Sequence, residues 1–471
     1  MAVTWNAENA AHLLSRAGFG GDIKEVEKYA KLPQSIAVDL LVRAKGSNSR
    51  GPGKSGVDAT DAEDRQELKA WWAKRMVKAK TKRVQEKMCL FWHDHFASSV
   101  SVVKNNYYMA KQNALFRFWG FGSFHTLVFE VTRDPAMLEF LDLKLSSKNK
   151  PNENYGRELM ELFVLGVKDM NGVDNYTQDD VEQITKALTG WQIMSDAGVF
   201  TDSRHDHGNK TLFAGKAWQQ GPGDLGVVDP ASVLLPAATN VIDGLFAHRD
   251  TDGELTMPRF IGKKLWEWFA YKNPSKTLVD EITADFIANP TGDPKGFVVR
   301  DLLRSIFMHD EFYSAQAKTS SVKNPCEFVF HAIRATKSKT NGKVLPDHLE
   351  AMGMDLFDPP GVNGWNHGLP WMASGLFLAR VKFAQALAAG RTSDLKLTPT
   401  KVIDRNSTNA DDVTDEILAK LGMTAYVPAG ARQALIDYFE GATSFIDVDT
   451  LERKVRGAIM LALSLPEFQV H

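Results

Sequence analysis

The sequence is short of cysteine and has almost no net charge, and each shortage argues against a class of protein. Only two cysteines, Cys89 and Cys326, occur among 471 residues. Both lie in apolar, helical contexts, so we expect buried thiols rather than a disulfide framework or a zinc cluster. Lys and Arg total 56 against 58 Asp and Glu, which leaves a net charge of −2. The chain therefore lacks the basic surplus that drives binding to nucleic acid or to anionic membranes.

Long apolar runs and an export leader are also missing. No stretch approaches the roughly 20 consecutive apolar residues of a membrane-spanning helix. The N-terminal residues "MAVTWNAENAAHLL" have neither a basic start nor a long apolar segment, so they do not form a secretory signal. We expect a cytoplasmic protein on this sequence, or a periplasmic or extracellular one if a leader has been removed.

The best-marked catalytic and nucleotide-binding motifs are absent as well. The sequence has no GxSxG elbow, Walker loop, HExxH pair, protein-kinase set or EF-hand. The glycines of "RAGFGG" (16–21) follow no predicted strand, so this segment is not a dinucleotide-binding fingerprint. Function must therefore be inferred from less specific clusters of polar residues.

The pattern that does run through the sequence is helical periodicity. It predicts an all-α fold, with one large multi-helix domain over residues 1–471, long irregular loops and little β-structure. The Gly/Ser-rich stretch 45–64 is predicted to be a flexible surface loop, and residues 411–471 to form C-terminal helices. The irregular stretches 192–236 and 359–371 are candidate site loops, because long loops in compact domains are usually functional or disordered.

The segment "MCLFWHDHF" (88–96) places titratable groups inside an apolar run. On a helix, His95 falls on the stripe that should face the core, His93 lies toward a flank, and Lys87 and Asp94 share a stripe that should face solvent. Residues two apart point in nearly opposite directions, so the two histidines share a metal only if the helix ends or distorts there. The alternative is a core histidine that is hydrogen-bonded to a backbone carbonyl.

The segment "PNENYGRELMELFVLGV" (151–167) predicts a helix that is apolar on all sides and therefore buried. Glu158 and Glu161 lie on one side of it, Arg157 is adjacent, and Glu153 can pair with Arg157 four residues on. A buried carboxylate must be paired, protonated or bound to a metal. Structural ion pairing, metal binding and general acid–base catalysis are all open for these two glutamates.

The segment "RHDHGNKTLFAG" (204–215) lies in an irregular stretch, where functional side chains concentrate. It presents His205, Asp206, His207 and Lys210 close together. The alternative for an exposed His-Asp-His sequence is an ordinary solvated turn.

The segment "PPGVNGWNHGLPW" (359–371) is a Pro- and Gly-rich loop that carries Trp365, His367 and Trp371. Such a loop can line a cleft or stack a sugar ring, and these three residues are the predicted substrate-binding group. The alternative is that both tryptophans fill the core beneath the loop.

Together these segments resemble the bacterial family called domain of unknown function 1800. The resemblance rests on "HLLSRAGFG", "FWHDHF", "NENYGRELMELFVLGV", "YTQDDVEQITKALTGW", "RHDHGNKT", "FIGKKLW", "VKNP" and "PPGVNGWNHGLPW", in this order along the chain. It implies no established reaction. It does imply an exported protein whose gene neighbours that of a phosphatase-like or sulfatase-like protein. The family usually has a small residue or proline where His207 stands, so we discount His207 as a site residue.

Our first hypothesis for function is a metal- or carboxylate-dependent enzyme, and the reaction class we favour is hydrolysis. The predicted ligands of a zinc, iron or manganese ion are His93, His95, Glu161 and His205. The predicted catalytic residues are Glu158 or Asp206 as general base, and Arg157 or Lys210 as the cation that holds an anionic group.

Two alternatives come from other classes of protein. One is a metal-free carbohydrate-active protein with a tryptophan-lined cleft, in which a second acid such as Asp206 must face Glu158 or Glu161 across the bond. The other is a non-enzymatic scaffold that assembles with the exported product of the neighbouring phosphatase-like or sulfatase-like gene. In that case the buried polar residues form a network that fixes helix register.

Overall fold

The computed structural model describes residues 3–43, 65–79, 83–227, 239–293, 295–404, 409–424, 426–439 and 450–470. The predicted flexible loop 45–64 lies outside the described residues. Within the described part of the chain, buried apolar side chains from Ala10 to Phe468 form one cluster. Every helix in that part is too short or too polar to span a bilayer.

The structure is 60% helical and only 8% strand, so the prediction of an all-α fold is confirmed. Helices α1 to α11 are Ala7–Ala17, Ile23–Ala30, Gln34–Val42, Arg65–Lys78, Arg83–His95, Val100–Val103, Asn106–Trp119, Phe124–Thr132, Pro135–Phe140, Asn154–Glu158 and Gln178–Ala187. Helices α12 to α23 are Val241–Ala247, Thr256–Phe269, Lys276–Ala288, Val299–Met308, Ala315–Thr319, Pro325–Ala335, Leu345–Ala351, Ser374–Ala389, Ala410–Lys420, Ala429–Tyr438, Arg456–Ser464 and Pro466–Gln469. The last four are the helices described within the predicted C-terminal set.

The six described strands all lie between residues 191 and 240, in and directly beside the first candidate site loop, 192–236. Strands β1 to β6 are Trp191–Met194, Ala197–Phe200, Lys210–Leu212, Gln220–Gly223, Leu225–Gly226 and Thr239–Asn240. β1 pairs with β2 and β3 with β4 in antiparallel fashion, and β5 pairs with β6 in parallel. The stretch is therefore less irregular than predicted, because short pairings satisfy backbone groups that a plain loop would leave to water.

Helix α5, which contains the predicted histidines, is buried along its whole length. The helix ends at His95. The prediction that Lys87 and Asp94 face solvent is wrong. Lys87 is fully buried and forms an ion pair with Glu327, and Asp94 is only 8% exposed. The reason is that α1, α3, α4 and α7 all pack against α5, so no side of it is left to water.

The helix after α10 widens into a π-helix over Leu159–Val164. Met160 O accepts a hydrogen bond from Gly166 N at 2.9 Å, and Gly166 ends the helix with a φ of +81°, which glycine adopts at little cost. The last carbonyls of a helix lack partners within it. Here the carbonyl oxygens of Leu162 and Phe163 are turned toward side chains of other segments, and a π-turn of this kind frequently marks a functional site.

The two cysteines are free, buried thiols, as the sequence predicted. Burial raises the pKa of Cys89 to about 12, and it raises the pKa of Cys326 as well. Neither thiol is poised as a thiolate nucleophile, because only the deprotonated form attacks.

Candidate functional site

Side chains from separate parts of the sequence meet around a cavity of about 240 Å³, which we call the cleft. It is lined by Phe91, Asp94, His95, Leu162, Lys264, Glu267, Trp268, Lys272, Val362, Asn363 and His367. These residues come from α5, the π-helix, α13 and the segment after it, and the loop 359–371. A concave site with a few convergent polar groups on an apolar wall is the usual form of a small-molecule site.

His95 lies at the wall of the cleft in one defined tautomer. Its Nε2 is 3.0 Å from Phe163 O, and because a carbonyl oxygen only accepts, Nε2 carries the hydrogen. Nδ1 then has a free lone pair, which lies 3.4 Å from Lys264 Nζ. Burial, with the nearby Lys264 charge, holds the pKa of His95 well below its usual value. The imidazole is therefore neutral and can accept a proton only from the side of Lys264.

Lys264 projects from α13 and donates a hydrogen bond from Nζ to Leu162 O at 2.9 Å. Removal of its ammonium from water lowers the pKa of Lys264 to about 8, although the charges of Asp94 and Glu267 oppose this shift. A lysine with a pKa near neutrality at the wall of a cavity is a candidate functional group, since burial and specific neighbours are how enzymes tune such groups.

Asp94 ties α5 to the loop 359–371. Its Oδ1 accepts a hydrogen bond from Trp365 N at 2.7 Å, and its Oδ2 lies 3.1 Å from His367 Nε2. Gly364, with a φ of +77°, makes this approach possible, because a Cβ there would lie 2.4 Å from Asp94 Oδ1. The carboxylate therefore orients the His367 imidazole, whose side chain is 42% exposed, at the edge of the cleft.

Two further cavities adjoin the cleft along α13, with volumes of about 460 Å³ and 410 Å³. Glu267 borders all three cavities. Lys264 is shared with the larger neighbour, and Lys272 and His367 with the other. The cleft is thus the middle of a longer groove, which leaves room for the remainder of a substrate on either side.

The four residues predicted as metal ligands do not come together. His93 is fully buried in an aromatic box, and burial lowers the pKa of His93 to about 3. His95 occupies the cleft, Glu161 accepts a hydrogen bond from Tyr176 Oη at 3.1 Å, and His205 lies in a separate cluster. The rings around His93 are Trp72, Phe116, Phe357 and Trp365. The two histidines of α5 diverge because they lie two positions apart on a regular helix.

Glu158 and Arg157 lie outside the cleft, and the prediction that their helix is buried on all sides is wrong. Arg157, Glu158 and Glu161 are all partly exposed. Arg157 forms the predicted pair with Glu153, at 3.2 Å, and donates to Gln178 Oε1 at 3.2 Å. Partial burial and the adjacent Glu161 raise the pKa of Glu158. This side of the helix faces solvent because the segments around it cover only the opposite side.

His205, His207 and Asp224 form a separate cluster. His205 is fully buried, with Nδ1 2.9 Å from Thr189 O and Nε2 3.1 Å from Asp224 Oδ1. His207 Nδ1 lies 2.9 Å from Asp224 Oδ2. One ligand atom from each of the three lies within 4.8 Å of the others, and within the described part of the chain this is the one such group of His, Cys, Asp and Glu.

Lys210 and Asp206 support this cluster. Lys210 is buried and donates from Nζ to Asp224 Oδ1 at 3.0 Å and to Gly208 O at 2.9 Å. The Asp206 carboxylate accepts a hydrogen bond from Gly208 N at 2.8 Å, so it stabilises its own turn. The sequence predicted that Lys210 holds an anionic group of a substrate. In the structure its ammonium is already engaged by Asp224 and Gly208, so it does not present its charge to a substrate.

Among the three predicted substrate-binding residues, only His367 has a substantially exposed side chain. Trp365 is 3% exposed and packs against His93, and Trp371 is 1% exposed. Trp371 is one of the residues that line the 410 Å³ cavity. The tryptophans thus fill space beneath the loop, which was the alternative considered for them, and do not offer an open face for stacking a sugar ring.

Sequence reasoning did not assign the residues that now hold the site together. The sequence pattern placed Asp94 on a solvent-facing stripe. Lys264 was not singled out within "FIGKKLW", and Asp224 was not singled out within its Gly-rich stretch. The signal for Lys264 was present, since a lysine between apolar residues on a helix is costly unless it is paired. For Asp224 no local sequence pattern indicates a site, because its partners His205 and His207 lie in a different turn of the chain.

The described residues thus form an α-helical protein with a cleft whose wall carries His95, Lys264 and His367. The chain belongs to the family described as Protein of unknown function (DUF1800), whose family model matches residues 12–470. The resemblance noted in the sequence is thereby confirmed over nearly the whole chain. No curated protein and no solved structure matches it.

Proposed function

We propose that this protein is a hydrolase that cleaves a small ester or amide bearing an acidic group in the cleft. The observation that carries the proposal is the Lys264 ammonium, held between Leu162 O and His95 Nδ1 at the cavity wall with a pKa of about 8. At neutral pH this cation is charged and fixed in place. A fixed cation in a partly dehydrated site stabilises the oxyanion that develops as a carbonyl is attacked.

His367 is the general base of the proposed reaction. Its Nε2 is held by the Asp94 carboxylate, which leaves Nδ1 to accept a proton from an attacking water. A carboxylate that orients an imidazole is the arrangement by which hydrolases position their base. Among the described residues that line the cleft there is no serine, threonine or cysteine, so water rather than a side-chain hydroxyl or thiol is the nucleophile we propose.

Lys272 supplies the preference for an acidic substrate. It is exposed at the rim of the cleft, and no ion pair or hydrogen bond engages its ammonium among the described residues. Cations that remain free beside a cavity attract anionic ligands. The acidic group of the substrate is therefore proposed to bind Lys272 while the scissile carbonyl faces Lys264.

A pair of model substrates tests this proposal. The purified protein is expected to hydrolyse an aryl hemisuccinate with a higher kcat/KM than the aryl acetate with the same leaving group. Lys272→Met should raise KM for the hemisuccinate and remove the preference. His367→Gln should lower kcat for both esters by about a hundredfold or more, because the proton acceptor is lost.

The matched control is Lys263→Met, since Lys263 precedes Lys264 and borders the adjoining cavity but not the cleft. It should leave both esters unaffected. Equal turnover by the wild type and His367→Gln, or no hydrolysis by the wild type of either ester or of the corresponding anilides, would contradict the proposal.

A further inference from the structure

We infer that His205, His207 and Asp224 bind a divalent transition-metal ion, with zinc as the best match. This site goes beyond the proposed function, which does not depend on it. The ligand atoms are already close to the required spacing, with His205 Nε2 3.1 Å from Asp224 Oδ1 and His207 Nδ1 2.9 Å from Asp224 Oδ2. A tetrahedral zinc ion with bonds of about 2.0–2.2 Å separates its ligand atoms by about 3.4 Å.

The surroundings of His205 point independently to a ligand. Because a carbonyl oxygen only accepts, His205 Nδ1 donates its hydrogen to Thr189 O, at 2.9 Å. Nε2, fully buried, is then aimed at the Asp224 carboxylate. A histidine that donates one ring N–H to a backbone carbonyl, and so keeps a lone pair on the other nitrogen, has the outer-shell hydrogen bond of metal-binding histidines.

The types of ligand atom and the solvent exposure of the site determine which ion it can bind. Two imidazoles and one carboxylate suit zinc, iron or nickel better than calcium or magnesium, which prefer oxygen. His205 lies at the bottom of the site, whereas the His207 side chain is 46% exposed and Asp224 20%. An ion can therefore enter from the His207 side, and a three-ligand site leaves one tetrahedral position open to water.

Lys210 shapes the site without occupying it. Its ammonium donates to Asp224 Oδ1 at 3.0 Å and is anchored by Gly208 O, so it fixes the carboxylate between the two imidazoles.

Metal binding by the metal-free, full-length protein tests the inference. Calorimetric titration with zinc should show one ion per chain, and cobalt should give the visible absorption bands of a tetrahedral site. His207→Ala and Asp224→Asn should each weaken zinc binding by at least tenfold, since each removes one of three ligands. Both variants are expected to fold, because His207 is half exposed and asparagine is isosteric with aspartate; circular dichroism checks this.

The matched control is His309→Ala, which removes a histidine paired with a carboxylate elsewhere, at 3.0 Å from Glu281. It should bind zinc as the wild type does, and so should the cleft variant Lys264→Met. Failure of the wild type to bind zinc or cobalt would overturn the inference. So would undiminished binding by His207→Ala and Asp224→Asn. Either result leaves the proposed hydrolase activity to stand or fall on the ester assays alone.

Discussion

Replacement of Lys264 by methionine is expected to lower kcat for the hydrolysis of acidic esters by about a hundredfold to a thousandfold, the cost of removing an oxyanion-stabilising group. Methionine keeps most of the volume but loses the charge and the hydrogen bond that Nζ donates to Leu162 O. In the wild type, kcat should fall as pH rises through about 8, because the Lys264 ammonium loses its proton there. Steady-state rates from pH 6 to 10 measure both effects, and Lys263→Met is the control.

The stability of the Lys264→Met variant provides a separate readout with a defined sign. Lys264 has a pKa of about 8 in the folded protein against 10.5 for a free lysine, so the unfolded chain binds more protons between these values. The wild type therefore gains stability relative to the variant as pH rises from 8 to 10.5. An alkaline fall in kcat that persists unchanged in Lys264→Met would contradict the role given to this lysine.

The second large effect concerns the ion pair beneath the cleft. Lys87→Met is expected to lower the free energy of unfolding by about 3–5 kcal/mol, because it leaves the Glu327 carboxylate buried without its main partner. Lys87 is fully buried, pairs with Glu327, and lies 5.6 Å from the centre of the Trp268 ring, which lines the cleft. Urea unfolding followed by circular dichroism measures the change.

A double variant and a surface control separate this pair from general packing. Adding Glu327→Gln to Lys87→Met should recover part of the loss, because the uncompensated charge is then removed. The exposed pair Lys168–Asp174 provides the comparison, and Lys168→Met should change stability by no more than about 0.5 kcal/mol. A loss for Lys87→Met as small as that for Lys168→Met would show that the buried pair contributes little.

Helix α5 shows how far the sequence determines the fold. Its apolar periodicity correctly predicted a helix with His95 turned inward. It failed at Lys87 and Asp94, because amphipathic reasoning assumes that one side of a helix meets solvent. When other helices surround it, charged residues are buried as pairs, and their partners, such as Glu327, lie hundreds of residues away in the sequence.

The site was less predictable than the fold because its geometry depends on backbone carbonyls. The role of Lys264 depends on Leu162 O, which is presented by a π-helix 102 residues earlier. No side-chain pattern reveals that a helix will widen there. His367 could be singled out from its loop, yet its orientation depends on Asp94, which the sequence placed on the wrong side of α5.

The polar cluster of the first candidate site loop was predictable only in part. The sequence singled out His205 and Lys210 as candidate site residues, and both are buried there. Their common partner Asp224 follows β4, and β3 and β4 bring it beside the histidines through pairing across a β-bulge. The register between β3 and β4 is set by turn geometry and packing together. The glycines in this stretch of the sequence do not indicate which residues will pair.

The pKa of Lys264 tests the central claim most directly. Brief labelling of the native protein with an amine-reactive reagent over pH 6 to 11, followed by peptide mass spectrometry, reports the fraction of neutral amine at this residue. The account predicts a midpoint near pH 8 for Lys264 in the folded protein, shifting to about 10.5 when the chain is denatured. A midpoint near 10.5 in both states would show that the cleft does not tune this lysine and would contradict the account.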